Sequence, residues 1–421
     1  MSSVPARRLA RAVSLALLLT LPPHVAAAQT RGTVVLRAAR VIDGTGKLLT
    51  NTDITVSDGR ITAVRPSSGA LPANGIDLGT RTVLPGLIDT HVHIGWYVNA
   101  KNRLHTESDG DSPATQAYSQ AGNAWATLHA GFTTVQSIGE EDNGTLRDAI
   151  NRGTIPGPRV LTSLGSMNER SAGGSPDSLR AVVRRFKAAG ADVIKIFASK
   201  SIRDGGEATM SDAQLAAACG ESTAQGLRSV VHAHSAEAVQ RAARNGCTQV
   251  EHGVFADDIT RSMLVRNGTF FDPQCGLVFH NYLDNKIRFE GIGNYNSVGF
   301  ASMEKALPLA EAGIGSASRT PTLKLVFGTD AVAGAHGRNA EELVCRVRRG
   351  GQPAMDAIVS ATSRAAESLR LDREIGRIAV GYAADIIATD GNPVTEIEAT
   401  QRVVFVMRNG LVYRNDGARR R

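Results

Sequence analysis

The chain has 421 residues, more than one ordinary domain but enough for a barrel of about 250 residues plus an accessory domain with a large buried core. Its formal charge of +7 shrinks on inspection: residues 1–28 hold three arginines and no acid, so without them +4 remains, and Arg419-Arg420-Arg421 supply three more. The folded body is near neutral, which argues against nucleic acid as a partner.

In chain order, Arg7, Arg8 and Arg11 precede an apolar run over 12–21 and then Ala26-Ala27-Ala28-Gln29. This is the layout of a cleavable secretory signal ending near Ala28. The run is too short to anchor a mature protein in a membrane, and no second candidate follows. The expectation is a soluble exported protein, periplasmic or secreted. Cys219, Cys247, Cys275 and Cys345 stand singly, so they suggest neither a zinc knuckle nor a disulfide framework. Export permits one disulfide, and buried free thiols fit equally well.

From Gly32 to Val64 short β-branched runs alternate with turns. Val34-Val35-Leu36, Arg40-Val41-Ile42, Asp53-Ile54-Thr55-Val56 and Arg60-Ile61-Thr62-Ala63-Val64 are separated by Asp43-Gly44-Thr45-Gly46 and Asp58-Gly59, a hairpin pattern. The same composition returns in Ile378-Ala379-Val380, Ala384-Asp385-Ile386-Ile387-Ala388, Val403-Val404-Phe405-Val406-Met407 and Leu411-Val412-Tyr413. Both ends therefore predict one β-sandwich, residues 29–84 with 376–417, followed by a solvated basic tail over 418–421.

Between them, over 85–375, the period changes. Ser112-Pro113 opens an amphipathic segment that runs to Gly131 and hands over to Phe132-Thr133-Thr134-Val135. Helical segments ending at Gly190, Gly226, Gly246 and Gly268 are likewise each followed by an apolar strand. With the opening strand, Val160-Leu161-Thr162 and 325–330, eight strand and helix units predict an α/β fold, a (β/α)8 TIM-like barrel. Such a barrel keeps its chemistry at the C-terminal strand ends.

The opening strand, Pro85-Gly86-Leu87-Ile88-Asp89-Thr90-His91-Val92-His93, places His91 and His93 on one side, because strand side chains alternate. Two imidazoles ending a buried strand are costly unless something binds them; a hydrogen-bonded pair is the plain alternative. The other strands end in Lys195, His232, His252 and Asp330, so four histidines and a carboxylate suited to zinc or a similar divalent ion gather at one rim. Lys195 is the odd member. A lysine in an apolar strand either snorkels to solvent, pairs with an acid, or is carboxylated by CO2 into a carbamate that bridges two metals.

At these residues the chain resembles the metal-dependent amidohydrolase superfamily, over nearly all of the mature length. The matching pieces are the 85–93 strand, Gly131-Phe132-Thr133-Thr134-Val135, Ile194-Lys195-Ile196, His232-Ala233-His234, Val250-Glu251-His252-Gly253, Gly328-Thr329-Asp330 and Gly381-Tyr382-Ala383-Ala384-Asp385. The nearest branch looks like the exported imidazolonepropionase-like and dipeptidase-like members, which include enzymes cleaving acyl-amino-acid or dipeptide amide bonds, among them ochratoxin-degrading amidohydrolases. The resemblance implies that His91, His93, carboxylated Lys195 and Asp330 hold the more buried metal, and Lys195, His232 and His252 the other. His232 and His234 both lie near the fifth strand end; His232 is preferred as ligand because it directly follows the apolar run, leaving His234 to the substrate. Tyr282 and His336 are further candidate substrate contacts. Departures from the family are Gly173-Gly174-Ser175 where relatives carry Gly-Gly-His, Gln136-Ser137 in place of Arg-Asp, and Asp272-Pro273-Gln274-Cys275 in place of Pro-Thr-Leu.

The long insertion over 280–322 is either a lid over the pocket or a helical excursion packed on the barrel. Two adjacent divalent ions make hydroxide available at neutral pH and polarise a carbonyl, with Asp330 as general base and then general acid. The expected function is hydrolysis of a C–N amide bond in a small molecule, a dipeptide or N-acyl amino acid. The alternatives are the same machinery acting on a cyclic amide or lactone, and an inactive scaffold of the same fold. No partner beyond a small-molecule substrate is implied, and a homo-oligomer is left open.

Overall fold

A computed structural model describes residues 32–417 and 419–420, so the export signal expected over 1–28 lies outside the described residues. The two chain ends meet as expected, but in one sheet. Strands β1 (Val34–Ile42), β2 (Leu48–Ser57), β3 (Arg60–Pro66), β4 (Ile76–Asp77) and β5 (Thr82–Pro85) join four strands from the far end. The sheet is continuous because β1 pairs with β2 along one edge and with β4 and then β5 along the other. Its inner face buries Leu36, Val41, Ile54, Ile61, Val83, Ile386, Phe405 and Met407 in one cluster.

The chain between the ends forms two parallel sheets. Strands β6 (Leu87–Val92), β7 (Phe132–Ser137) and β8 (Arg159–Thr162) make the first; β9 (Ser166–Met167), β10 (Val193–Phe197), β11 (Arg228–Ala233), β12 (Gln249–His252) and β13 (Phe270–Asp272) make the second. Residues 163–165 alone separate β8 from β9, so one stretch of chain passes from sheet to sheet. On the other side the stretch 324–331 does the joining: Val326 N donates to Phe271 O, Thr90 N to Phe327 O and His93 N to Ala331 O, at 2.9, 2.9 and 2.8 Å. This stretch was expected as a regular strand and is not one. Phe327 N turns to Ser360 O, 3.1 Å, and Asp330 sits at φ 53°, so no unbroken ladder forms. The strands β14 (Ile386–Thr389), β15 (Val403–Arg408), β16 (Leu411–Asn415) and β17 (Arg419–Arg420) complete the terminal sheet. Residues 378–380, expected as a strand, are irregular, and the tail expected to be solvated pairs through β17 with β4.

The crossover helices are α1 (Pro113–His129), α2 (Asn143–Asn151), α3 (Pro176–Ala188), α4 (Asp212–Ala224), α5 (Ala236–Arg244) and α6 (Asp258–Asn267). Ser112, Ser175, Ser211, Ser235 and Asp257 each accept the N–H three residues on, satisfying donors that the first turn leaves orphaned. The insertion folds as α7 (Leu277–Asp284), α8 (Lys286–Phe289) and α9 (Ser297–Ser318), followed by α10 (Ala340–Arg348). Its apolar faces have a core of their own, with Phe279, Tyr282, Phe289, Tyr295, Phe300 and Met303. All four cysteines pair, Cys219 with Cys247 and Cys275 with Cys345, so the expectation of at most one disulfide is corrected. Sequence positions 28 and 70 apart gave no hint of these pairings, which the fold brings to Cα separations of 5.0 and 5.8 Å.

Candidate metal centre

The C-terminal ends of the parallel strands converge on one cavity. Asp330 Oδ1 lies 3.0 Å from His93 Nε2 and 3.3 Å from His91 Nε2, and Lys195 Nζ lies 3.4 Å from His91 Nε2. The ring of His252 is 5.4 Å from that of His91 and 4.5 Å from that of His232, centroid to centroid. Two groups of three, His91 with His93 and Asp330, and His232 with His234 and His252, each bring their donor atoms within 4.8 Å of one another. All of these residues, with Lys195, line one cavity of about 230 Å³.

The backbone is bent to achieve this. His252 stands at φ 67°, a left-handed conformation that costs a non-glycine residue on the order of 1–3 kcal/mol. Its effect is to break strand alternation at the end of β12. Glu251 keeps its inward orientation and meets His91 Nδ1 at 2.8 Å, while His252, one residue on, also enters the cavity.

Behind the donors is a layer of acids. Glu140 Oε1 lies 2.8 Å from His93 Nδ1, matching the Glu251 contact on His91. Glu251 and Asp272 are neighbours in the interior, so burial and then mutual repulsion push the Asp272 carboxyl well above its ordinary range, and burial raises Glu251. Arg346, itself buried, offsets this by pairing with Asp272 at 2.9 Å and Glu342 at 3.2 Å. His91, Glu251 and Asp272 also lie close enough to suggest a third donor group, but their atoms are engaged with one another, with Gln274 and with Arg346.

The electrostatics divide the histidines. Burial and the Lys195 cation hold His91 down to about 3. Burial opposes charge on His93 as well, yet Glu140 and Asp330 prevail and raise it to about 9. Burial would raise Asp330, but His91 and His93 hold its carboxylate below the ordinary value. Burial also lowers Lys195, against the pull of Glu251 and Asp330.

His232 and His234 differ in how they are tethered. His232 Nε2 lies 3.3 Å from Lys200 O, and because a carbonyl only accepts, that nitrogen carries the proton and leaves Nδ1 bare. A ring whose second nitrogen donates to a backbone carbonyl is the arrangement typical of a metal-bound histidine. His234 has a buried Nδ1 with no hydrogen-bond partner, and burial lowers its pKa to about 3. The donor set therefore suits a divalent ion: imidazoles and a carboxylate, with the far ring nitrogens of His91, His93 and His232 already oriented by protein acceptors.

Of the expected substrate contacts, His234 and Tyr282 line the cavity. His336 does not: its Nε2 donates to Trp96 O at 3.1 Å, and Trp96 takes the lining position. Ser175, at the place where the family resemblance implies histidine, is consumed as the cap of α3. Gln136, a departure from the family, donates to Thr90 O at 2.8 Å and accepts from Arg228 at 2.6 Å. The insertion, together with the start of α7 that leads into it, is a wall of the pocket, supplying Val278, Phe279, Tyr282, Tyr295 and Met303. Glu140 and Arg203 escaped the sequence reading. The one signal for Glu140 was a carboxylate in the loop just past a buried strand, and for Arg203 there was none.

Residues 82–412 match the amidohydrolase family. Ochratoxinase from Aspergillus niger is 26% identical over 442 aligned positions, covering 94% of this chain and 90% of that protein. Among solved structures, a Xaa-Pro dipeptidase with bound methionine in its active site is 27% identical with a TM-score of 0.81, covering 91% of this chain and 100% of that one. A prolidase complexed with N-methylphosphonate-L-proline is 25% identical with a TM-score of 0.80 and the same coverage, 91% and 100%.

Proposed function

Because the chain belongs to the amidohydrolase family and is a hydrolase of carbon–nitrogen bonds, we propose that it cleaves the amide bond of a dipeptide or an N-acyl amino acid, using two divalent ions. The observation that carries this reading is the pair of donor groups, His91, His93 and Asp330 beside His232, His234 and His252, with Lys195 of β10 in the same cavity. In this reading the parallel sheets and the stretch 324–331 are one (β/α)8 barrel over 85–375, with the terminal sheet over 29–84 and 376–417.

His91, His93, Lys195 and Asp330 would hold one ion, and Lys195, His232 and His252 the other, with zinc as the ion and Lys195 carboxylated by CO2. Bound ions supply Lewis-acid activation of water and of the scissile carbonyl. Asp330 takes the proton of the attacking water and returns it to the leaving nitrogen, and its depressed pKa keeps it the ionised acceptor at neutral pH. Glu251 and Glu140 keep the rings of His91 and His93 aimed at Asp330. His234 and Tyr282 contact the substrate, and the insertion screens it from bulk water. The reading includes export directed by 1–28; two disulfides in the described chain support an oxidising compartment. Among the described residues no helix is long and apolar enough to cross a membrane.

The test is a panel of dipeptides and N-acyl amino acids incubated with zinc-reconstituted protein, beside cyclic amides and lactones. Turnover confined to the open-chain amides is expected. Turnover of the cyclic substrates alone would replace this reading.

A further inference from the structure

Apart from Lys195 and the histidines, Arg203 is the one basic side chain among the described residues lining the cavity, and the metal centre has no use for it. It stands on the turn Ile202–Asp204, which leaves β10 and is pinned against the end of β11. Ser235 N donates to Gly206 O at 3.2 Å, and a Cβ built on Gly206 would fall 2.6 Å from His234 Cβ, so only glycine allows the loop so close.

The insertion fixes the side chain from the other side. The guanidinium carbon lies 4.0 Å from the centroid of the Tyr295 ring and 5.7 Å from that of Tyr282. Its Nε donates to Asn294 Oδ1 at 2.6 Å. Its stem lies against Gly299, where an added Cβ would come within 3.3 Å of Arg203 Cβ. Among the described residues this guanidinium has no carboxylate partner, and Nε is its only bonded nitrogen. The Tyr295 hydroxyl, buried in the same wall, faces only the Tyr282 hydroxyl, whose O–H points at it, and its own O–H has no acceptor. A guanidinium held rigid over aromatic rings with both terminal nitrogens unused is preorganised for a planar two-oxygen acceptor.

We propose that Arg203 binds a carboxylate of the substrate, its terminal N–H groups pairing with the two oxygens and the Tyr295 hydroxyl donating to one of them. The substrate class is then an amide whose one half bears a free carboxylate; this rests on the reading that the cavity is where the amide is cleaved. A single guanidinium in a wall otherwise built from Val278, Phe279, Met303 and Val332 matches one negative charge, and would leave a phosphate dianion half compensated.

The experiment compares N-benzylphenylalanine with N-benzylphenylalaninol, which has a hydroxymethyl group in place of the carboxylate. Neither contains an amide bond, so binding to the full-length, metal-loaded protein is read by calorimetry without turnover. The wild type should bind the acid at least about tenfold more tightly than the alcohol, and Arg203→Met should lose about ten- to a hundredfold for the acid while changing the alcohol by less than about twofold. Arg203→Lys, which keeps the charge but not the fork, should fall between them, and it carries the same comparison should Arg203→Met not fold. Equal affinities for the two ligands in the wild type, or equal losses for both in the variants, would overturn the assignment. Discrimination without turnover of any amide would sink the proposed function and leave Arg203 as a carboxylate anchor; turnover without discrimination would do the reverse.

Discussion

His91 Nδ1 sits 2.8 Å from Glu251 Oε2, a wholly buried contact between β6 and β12. It fixes which nitrogen of His91 faces the cavity, since the ring can present Nε2 to an ion only while Nδ1 is held from behind. Loss of such an orienting carboxylate characteristically weakens metal binding about 10–100-fold. Glu251→Gln, which keeps size and an acceptor oxygen but not the charge, should show a loss in that range in a chelator competition. An unchanged affinity would mean that the strand backbone alone orients His91.

The pair at the end of β11 is separable because His232 is tethered through Nε2 to Lys200 O whereas His234 has no acceptor on Nδ1. His232→Ala should be depleted of metal. His234→Ala should stay metal-replete but turn over poorly, with a raised KM or lowered kcat. Metal content measured beside steady-state kinetics would, in the opposite pattern, exchange the two roles.

Lys195 is buried and 3.4 Å from His91 Nε2, with Glu251 and Asp330 as its nearest electrostatic support. Elemental analysis of the metal-saturated protein should give two ions per chain. Lys195→Ala should lose metal and activity together, and a short carboxylic acid added to the variant should restore part of both by standing in for the carbamate. A variant that keeps its full metal content would show that the lysine is not a ligand.

Gly328 precedes Asp330 at a point where the backbone runs against two site residues. A Cβ there would lie 1.9 Å from Asp272 Oδ2 and 2.8 Å from His91 Cβ. Gly328→Ala should therefore destabilise the metal-free protein by about 1–3 kcal/mol or more, read from urea unfolding, and weaken metal binding as well by displacing His91. Stability within error of the wild type would mean that Asp272 can swing away without disturbing the centre.

Much of this was legible in the chain because it depends on local rules. Strand alternation puts His91 and His93 on one side, burial makes polar residues at apolar strand ends conspicuous, and a capping residue such as Ser112 marks where a helix begins. These rules act over a few residues, so they survive without coordinates. They also mislead where the tertiary structure overrides them. The stretch 325–330 has the composition of a strand yet divides its hydrogen bonds among Phe271, His91 and Ser360.

What only the tertiary structure decided are relationships between residues far apart in sequence. Glu251 and His252 should face opposite ways by alternation, and both face inward because the packed site holds His252 at φ 67°. Arg203 is an unremarkable loop arginine in the sequence; it is a pocket residue because Tyr295, Asn294 and Gly299, some 90 positions on, close around it. Likewise Cys219 with Cys247 and Cys275 with Cys345 are set by which helices and strands become neighbours. The sequence by itself determined the strand-end donors and the family they resemble, since each is a local pattern of polarity and spacing. Which atoms of those donors point at the cavity, and what surrounds them, depended on through-space packing that no periodicity encodes.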